Sequence, residues 1–219
     1  MFIEPSGPGK RKEQKAETRA RILDVARRSL EEVGFEATSI RDVARAAGVA
    51  PGTVLLHFPD KRDLLHAALF DGLEEVSRRV RKPGPRSSSK ARSLESALTG
   101  VARAFYAYYA ERPALSRALL RESLFAAPPW SQRFATQVGE VHAHVVALAA
   151  GARDRGELDA SVDADVLGAA FLSFYYFALL AWIQGSHDDP TRLFRRLLAQ
   201  HLRAAAPKAR SSAKKKGAP

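Results

Sequence analysis

The 219-residue sequence predicts an all-α protein. Three observations carry that prediction. Apolar residues recur at three- and four-residue spacing along most of the chain, no stretch alternates as a half-buried strand would, and proline and glycine fall mainly between the periodic segments. No internal repeat is present, and 46% hydrophobic residues at this length is enough for a real core. The formal charge of +11 favours a polyanionic partner, although much of it lies in the tails, at Lys10, Arg11, Lys12 and Lys15 and again at Lys208, Arg210 and residues 214–216. The absence of cysteine excludes a disulfide framework, a thiolate nucleophile and a zinc-thiolate site. The N-terminus carries no apolar signal segment, so a cytoplasmic address is expected.

In chain order, residues 1–15 are rich in glycine, proline and charge and read as a basic disordered arm. The first helix is expected over 18–33, with Ile22, Val25, Ala26, Leu30 and Val33 on one stripe and Gly34 as its stop. Ser39 with Asp42 three residues on forms a capping-box variant that starts a second helix, whose apolar positions are Ile40, Val43 and Ala44. Ala47-Gly48-Val49 then interrupts the pattern, and a short apolar run to Phe58 follows, with Pro51 suited to a first helical position. Helix, glycine turn and helix at this spacing is the arrangement of a DNA-reading helix-turn-helix, in which the second helix enters the major groove. The same arrangement also occurs in helical bundles that bind no DNA.

Thr38-Ser39-Ile40, Val43-Ala44, Ala47-Gly48-Val49, Gly52-Thr53, His57-Phe58, Lys61 and Leu64-Leu65 together resemble the signature of the tetracycline repressor (TetR) family of transcriptional regulators. The resemblance covers about residues 18–69. It implies a dimeric, ligand-responsive DNA-binding protein, with residues 16–62 as the reader and 63–206 as a ligand-binding and dimerisation domain. On that reading Thr38, Ser39 and Lys61 face phosphates, while Arg41 and Arg45 lie within reach of the backbone or a guanine edge. Pro51, Gly52, Thr53, Leu55, Leu56 and His57 form the recognition surface. The chain departs from the family there. Ala50 stands where a polar residue usually starts the helix, and Leu55 replaces the usual aromatic and its phosphate-bonding hydroxyl. Thr53 and His57 are then the hydrogen-bonding side chains of that helix, and apolar contacts to thymine methyls remain open to Pro51, Leu55 and Leu56. Direct readout should therefore be sparse, with more weight on Arg41, Arg45, DNA shape and the basic arms.

Lys61 opens an amphipathic helix expected to reach about residue 81, the family's connector between reader and sensor. Gly72 in its middle marks a close contact or a bend. Residues 83–89 read as a loop. Helices are expected over 91–110, 113–124 and 130–150, followed by a loop to residue 161. Residues 166–183 are apolar enough to raise a membrane span, but flanking aspartates and the absence of a following basic cluster favour a helix buried on every side of a bundle. The last two helices, 163–183 and 190–205, correspond to the family's dimer interface, here Leu167, Phe174, Leu193, Leu197 and His201. From residue 207 the composition predicts a basic disordered tail.

Phe105, Tyr109, Phe125, Trp130, Phe134, Phe171 and Tyr175 are candidates for an apolar effector pocket, with His142 or Tyr175 orienting a polar group. No cofactor is indicated. His142 and His144 are two apart, which points them in different directions on a helix, and His187-Asp188-Asp189 fits capping better than metal binding. No phosphate loop, nucleophile elbow or zincin motif occurs, so enzyme activity has no positive support. The sequence thus predicts a cytoplasmic, homodimeric regulator, a repressor in its simplest form, that binds double-stranded operator DNA and is released by a small, largely hydrophobic effector. Two rival readings are a sequence-indifferent basic DNA-binding protein and a ligand-binding bundle whose DNA reader has weakened.

Overall fold

The structure, a computed structural model, describes residues 8–82, 93–123 and 126–207, and the regular elements among them are all helices. In order these are α1 (Pro8–Glu32), α2 (Gly34–Ala37), α3 (Ile40–Ala46), α4 (Pro51–His57), α5 (Lys61–Arg81), α6 (Leu94–Glu111), α7 (Pro113–Ser123), α8 (Trp130–Asp154), α9 (Ala164–Ile183) and α10 (Pro190–Ala204). They pack as two units, 1–82 with 104–138 and 83–103 with 139–219, whose boundaries fall inside α6 and α8. The division expected after residue 62 is therefore not where the packing divides. Connector helix α5 contacts both α1 and α7 and belongs with the helix-turn-helix.

In the first unit α1 begins at Pro8, not near residue 18. Lys, Arg, Glu, Gln and Ala dominate residues 10–17 and are strong helix formers, but all of these positions are exposed. Propensity therefore extends the helix where no apolar pattern marks it. Residues 8–15 of the expected disordered arm are helical, while 1–7 lie outside the described residues. Gly34 takes the left-handed conformation (φ 80°) that turns the chain into α2, a single turn the periodicity did not announce. Ile22 and Leu30 of α1, Leu64, Leu65, Leu69 and Phe70 of α5, and Leu115 of α7 are fully buried. Midway along α5, Gly72 is a close contact: a Cβ there would lie 2.0 Å from the Tyr108 hydroxyl, which donates to the Leu69 carbonyl at 3.2 Å.

The second unit is built on α9 and α10, each started by an aspartate. Asp163 accepts from the Asp165 amide, and Asp189 accepts from the Arg192 amide just before Pro190. Phe171 meets Phe194 edge-on at 5.2 Å, joining the two helices. The end of α8 runs to Asp154, past the expected stop near residue 150. The expectation that α9 is buried on every side does not hold. Val166, Phe177 and Leu180 are exposed, and 39% of its most apolar stretch is buried. By length and composition alone α9 is long and apolar enough to cross a membrane. The expected loop at 83–89 and nearly all of the basic tail lie outside the described residues.

Candidate nucleic-acid interface

Sequence chemistry fixes the shape of the α3–α4 pair. Ser39 precedes α3 in extended backbone; its Oγ accepts from the Asp42 amide at 3.1 Å and donates to the Asp42 carboxylate at 2.5 Å. Val43 and Ala44 turn inward and are fully buried. At the end of α3 the Val49 amide donates to the Ala44 carbonyl at 3.0 Å and the Gly48 amide to Arg45 at 3.2 Å, with Gly48 at φ 66°. These bonds and the left-handed glycine make a Schellman stop, which satisfies the last carbonyls and redirects the chain. Pro51 then opens α4 without a side-chain cap, and buried Val54 and Phe58 anchor the helix from beneath.

Of the residues expected at DNA, Pro51, Gly52, Leu55 and Leu56 are exposed, while Thr53 and His57 are half-buried. Leu56 is 82% and Leu55 46% exposed, and the two stand side by side on α4. Arg41 and Arg45 are exposed on α3. Arg45 pairs with Asp42 at 3.1 Å, but both side chains are solvated, so the pair is weak and open to exchange for a phosphate. Burial, followed by the charges of Lys15 and Arg19, holds His57 below the usual histidine range, so it is neutral near pH 7. The positive field that keeps a proton off His57 is also one that favours phosphate nearby.

Of the expected phosphate contacts, Thr38 is corrected and Lys61 has partners of its own. Thr38 is 3% exposed, and its hydroxyl donates to the Gly34 carbonyl at 2.8 Å and lies 3.2 Å from Ser29 Oγ; it closes the α2 turn inside the fold. Lys61 donates to the carbonyls of Phe35 (2.8 Å) and Glu36 (3.2 Å) and sits 4.4 Å over the Phe35 ring. These carbonyls take two of the three ammonium donors and hold the half-buried Lys61 at the start of α5, which leaves one donor for an anion.

Behind the reader lies a network the sequence reading missed. Asp71 of α5 accepts from Arg19 of α1 at 2.8 Å and from Arg133 of α8 at 2.7 Å, and Arg133 also reaches Glu74 at 2.7 Å. Burial alone would raise the Asp71 pKa, but the hydrogen bonds and charges of the two arginines hold it below the usual carboxylate range. Arg19 also sits 5.3 Å over the ring of Phe58, at the end of α4. Nearby, Trp130 of α8 donates to Asp63 and stacks on His66 and Phe70 of α5. The bonding partners of Asp71 stand 52 and 62 residues from it, a separation at which nothing in one sequence reveals a pair.

The structure divides the expected pocket residues. Phe105, Tyr109, Trp130 and Phe134 belong to the first unit, where Phe134 meets Phe70 edge-on at 6.2 Å. His142, Phe171 and Tyr175 belong to the second, and Phe125 lies outside the described residues. The ring of His142 is 3.2 Å from the Asp165 carbonyl and fills the space a Cβ on Gly168 would take. Of the expected dimer contacts, Leu167 and Leu193 are corrected: both are buried within the chain itself. Phe174, Leu197 and His201 are half-buried, with Phe174 edge-on to His201 at 5.5 Å. The exposed stripe of α9 is instead Val166, Ala169, Ser173, Phe177 and Leu180, at three- and four-residue spacing along one face. Among the described residues no group of acidic, histidine or cysteine side chains could hold a metal ion.

Residues 22–68 match the family described as bacterial regulatory proteins, tetR family. The HTH-type transcriptional regulator AcrR of Shigella flexneri is 47% identical over 55 residues, 25% of this chain and 26% of AcrR. The HTH-type transcriptional repressor KstR of Rhodococcus jostii is 34% identical over 110 residues, 50% of this chain and 49% of KstR. The chain thus spans between about a quarter and a half of the length of these curated relatives. Among solved structures, the transcriptional regulator FadR of Bacillus subtilis in complex with stearoyl-CoA superposes with a TM-score of 0.66 over 84% of this chain and 97% of that one, at 17% identity. At that identity the likeness shows the fold. Residues 22–68, which hold the helix-turn-helix, are thus similar to the segment shared by the tetR family of bacterial regulatory proteins.

Proposed function

We propose that the protein is a homodimeric transcriptional repressor that binds operator DNA through α3 and α4 and releases it when a small, largely hydrophobic effector binds. The carrying observation is the exposed face of α4 on a fully buried foundation, flanked by exposed Arg41 and Arg45. The named relatives are transcriptional regulators, and FadR, a neighbour in fold, holds an acyl-CoA. These favour regulation over catalysis and an effector with a long apolar part. Operator DNA implies the cytoplasm.

Dimerisation is assigned to the exposed α9 stripe, because an apolar face of that size on a DNA-binding protein needs a cover, and a second copy supplies a self-complementary one. Release is assigned to α8. An effector that displaces Trp130 and Arg133 pulls on Asp63, Asp71 and Glu74 of α5, and through Arg19 on the Phe58 end of α4. About 2.7 kcal/mol of preference for the DNA-incompetent state would lower operator affinity roughly 100-fold.

The test is sedimentation of the full chain alone and on labelled duplex from its own upstream region. The expected result is a dimer in both cases, with Phe177→Glu giving monomers that bind the duplex at least about tenfold more weakly. A wild-type monomer that binds the duplex at full affinity would remove the dimeric reading.

A further inference from the structure

We infer that α4 reads 5-methylpyrimidines: its operator half-site presents thymine methyls to Leu55 and Leu56, and these leucines set sequence choice. This deepens the proposed function and rests on it.

The inference begins with what α4 lacks. Pro51-Gly52-Thr53-Val54-Leu55-Leu56-His57 contains no Arg, Lys, Asn, Gln, Asp or Glu, the side chains that read bases with paired or strong hydrogen bonds. Val54 is buried, and Thr53 and His57 are half-buried. The large apolar side chains it exposes are Leu56 and Leu55. Their occupant is argued from their setting. They lie on the second helix of a helix-turn-helix, beside exposed Arg41 and Arg45 and close enough to Lys15 and Arg19 for His57 to feel both charges. That surrounding charge fits a phosphate-walled groove and disfavours an apolar protein partner.

Within the major groove the thymine C5 methyl is the apolar feature on the base edges. A leucine placed there gains contact with a methyl. The same leucine over guanine, adenine or unmethylated cytosine covers a donor or acceptor and returns no hydrogen bond. Discrimination therefore comes from attraction to the methyl and from rejection of the uncovered polar edges. Because 5-methylcytosine carries the same methyl at the same carbon, the chemistry recognised is the methylated pyrimidine edge.

The test uses the full chain and the duplex it selects from a random pool, with affinity measured by anisotropy. Thymine should dominate the base positions most protected by the protein. Replacing those thymines by deoxyuridine removes only the methyls and should weaken binding about fourfold for each methyl buried. Leu56→Ala, at an exposed position that does not disturb folding, should weaken binding to the thymine duplex and reduce the thymine-to-uracil ratio to below about twofold. Selection of a specific duplex that tolerates uracil within twofold, or a Leu56→Ala protein that keeps full discrimination, overturns the inference while leaving the regulator reading intact. Failure to select any specific duplex overturns both. Concentration-dependent self-association that Leu56→Ala abolishes, without change in DNA affinity, would assign the leucines to a second copy and also overturn it.

Discussion

Asp71 ties three helices together, because one carboxylate on α5 accepts from arginines on α1 and α8. Removing its charge while keeping its shape, as in Asp71→Asn, should cost about 1–3 kcal/mol at pH 7, the range for hydrogen bonds to charged groups in a partly buried site. The sign of its pH dependence follows from its lowered pKa. The stability it contributes is present above the unfolded carboxylate value near 4 and is lost as pH falls through the folded value. Urea unfolding should therefore show a clear gap between wild type and Asp71→Asn at pH 7 that narrows as pH falls below the unfolded carboxylate value. An unchanged gap at low pH would mean the loss comes from packing.

Gly72 makes the corresponding prediction for the helices. Alanine in a helix is ordinarily better than glycine by about 1 kcal/mol, but at Gly72 the added Cβ meets Tyr108. Gly72→Ala should destabilise the wild-type protein by about 1–3 kcal/mol and should stabilise a Tyr108→Ala background, a reversal of sign readable in thermal unfolding. The helix-turn-helix itself was legible because its signals are local: a capping serine, a glycine where backbone needs positive φ, and a proline at a first turn. The α1 extension was not, since exposed lysines and glutamates form helix without an apolar stripe. The sequence places Thr38 at DNA by its position before a helix start, and the resemblance places Lys61 there. Only the fold shows that the Gly34 carbonyl takes the Thr38 hydroxyl and that the Phe35 carbonyl holds Lys61.

For the whole molecule, the sequence showed a long apolar helix near the end of the chain but not which side of it stays uncovered. Leu167 and Phe177 are equally apolar in sequence, yet packing buries the first and leaves the second 56% exposed. That distinction needs the positions of α9 and α10 together. The same holds for the aromatic pocket candidates, which composition groups and the fold divides between two units. The pH behaviour of DNA binding belongs to this scale as well. His57 is kept neutral by burial and by neighbouring cations; DNA phosphates oppose those cations and raise its pKa. Operator affinity should therefore increase as pH falls from 7 toward 5.5, with proton uptake measurable by calorimetry in buffers of different ionisation enthalpy, and His57→Gln should flatten the dependence.

The central claim is that α3 and α4 read sequence, with basic ends adding only general attraction. Its most direct test is the ratio of affinities for DNA from the chain's own upstream region and for scrambled DNA, measured across salt for the full chain and for a form limited to residues 8–207, which keeps α1 whole. The account predicts a preference of about 1000-fold or more in both forms, with the shorter form losing affinity equally on both duplexes and showing a shallower salt slope. Equal affinity for the two duplexes, vanishing when the ends are removed, would contradict it and identify the protein as a sequence-indifferent basic DNA binder.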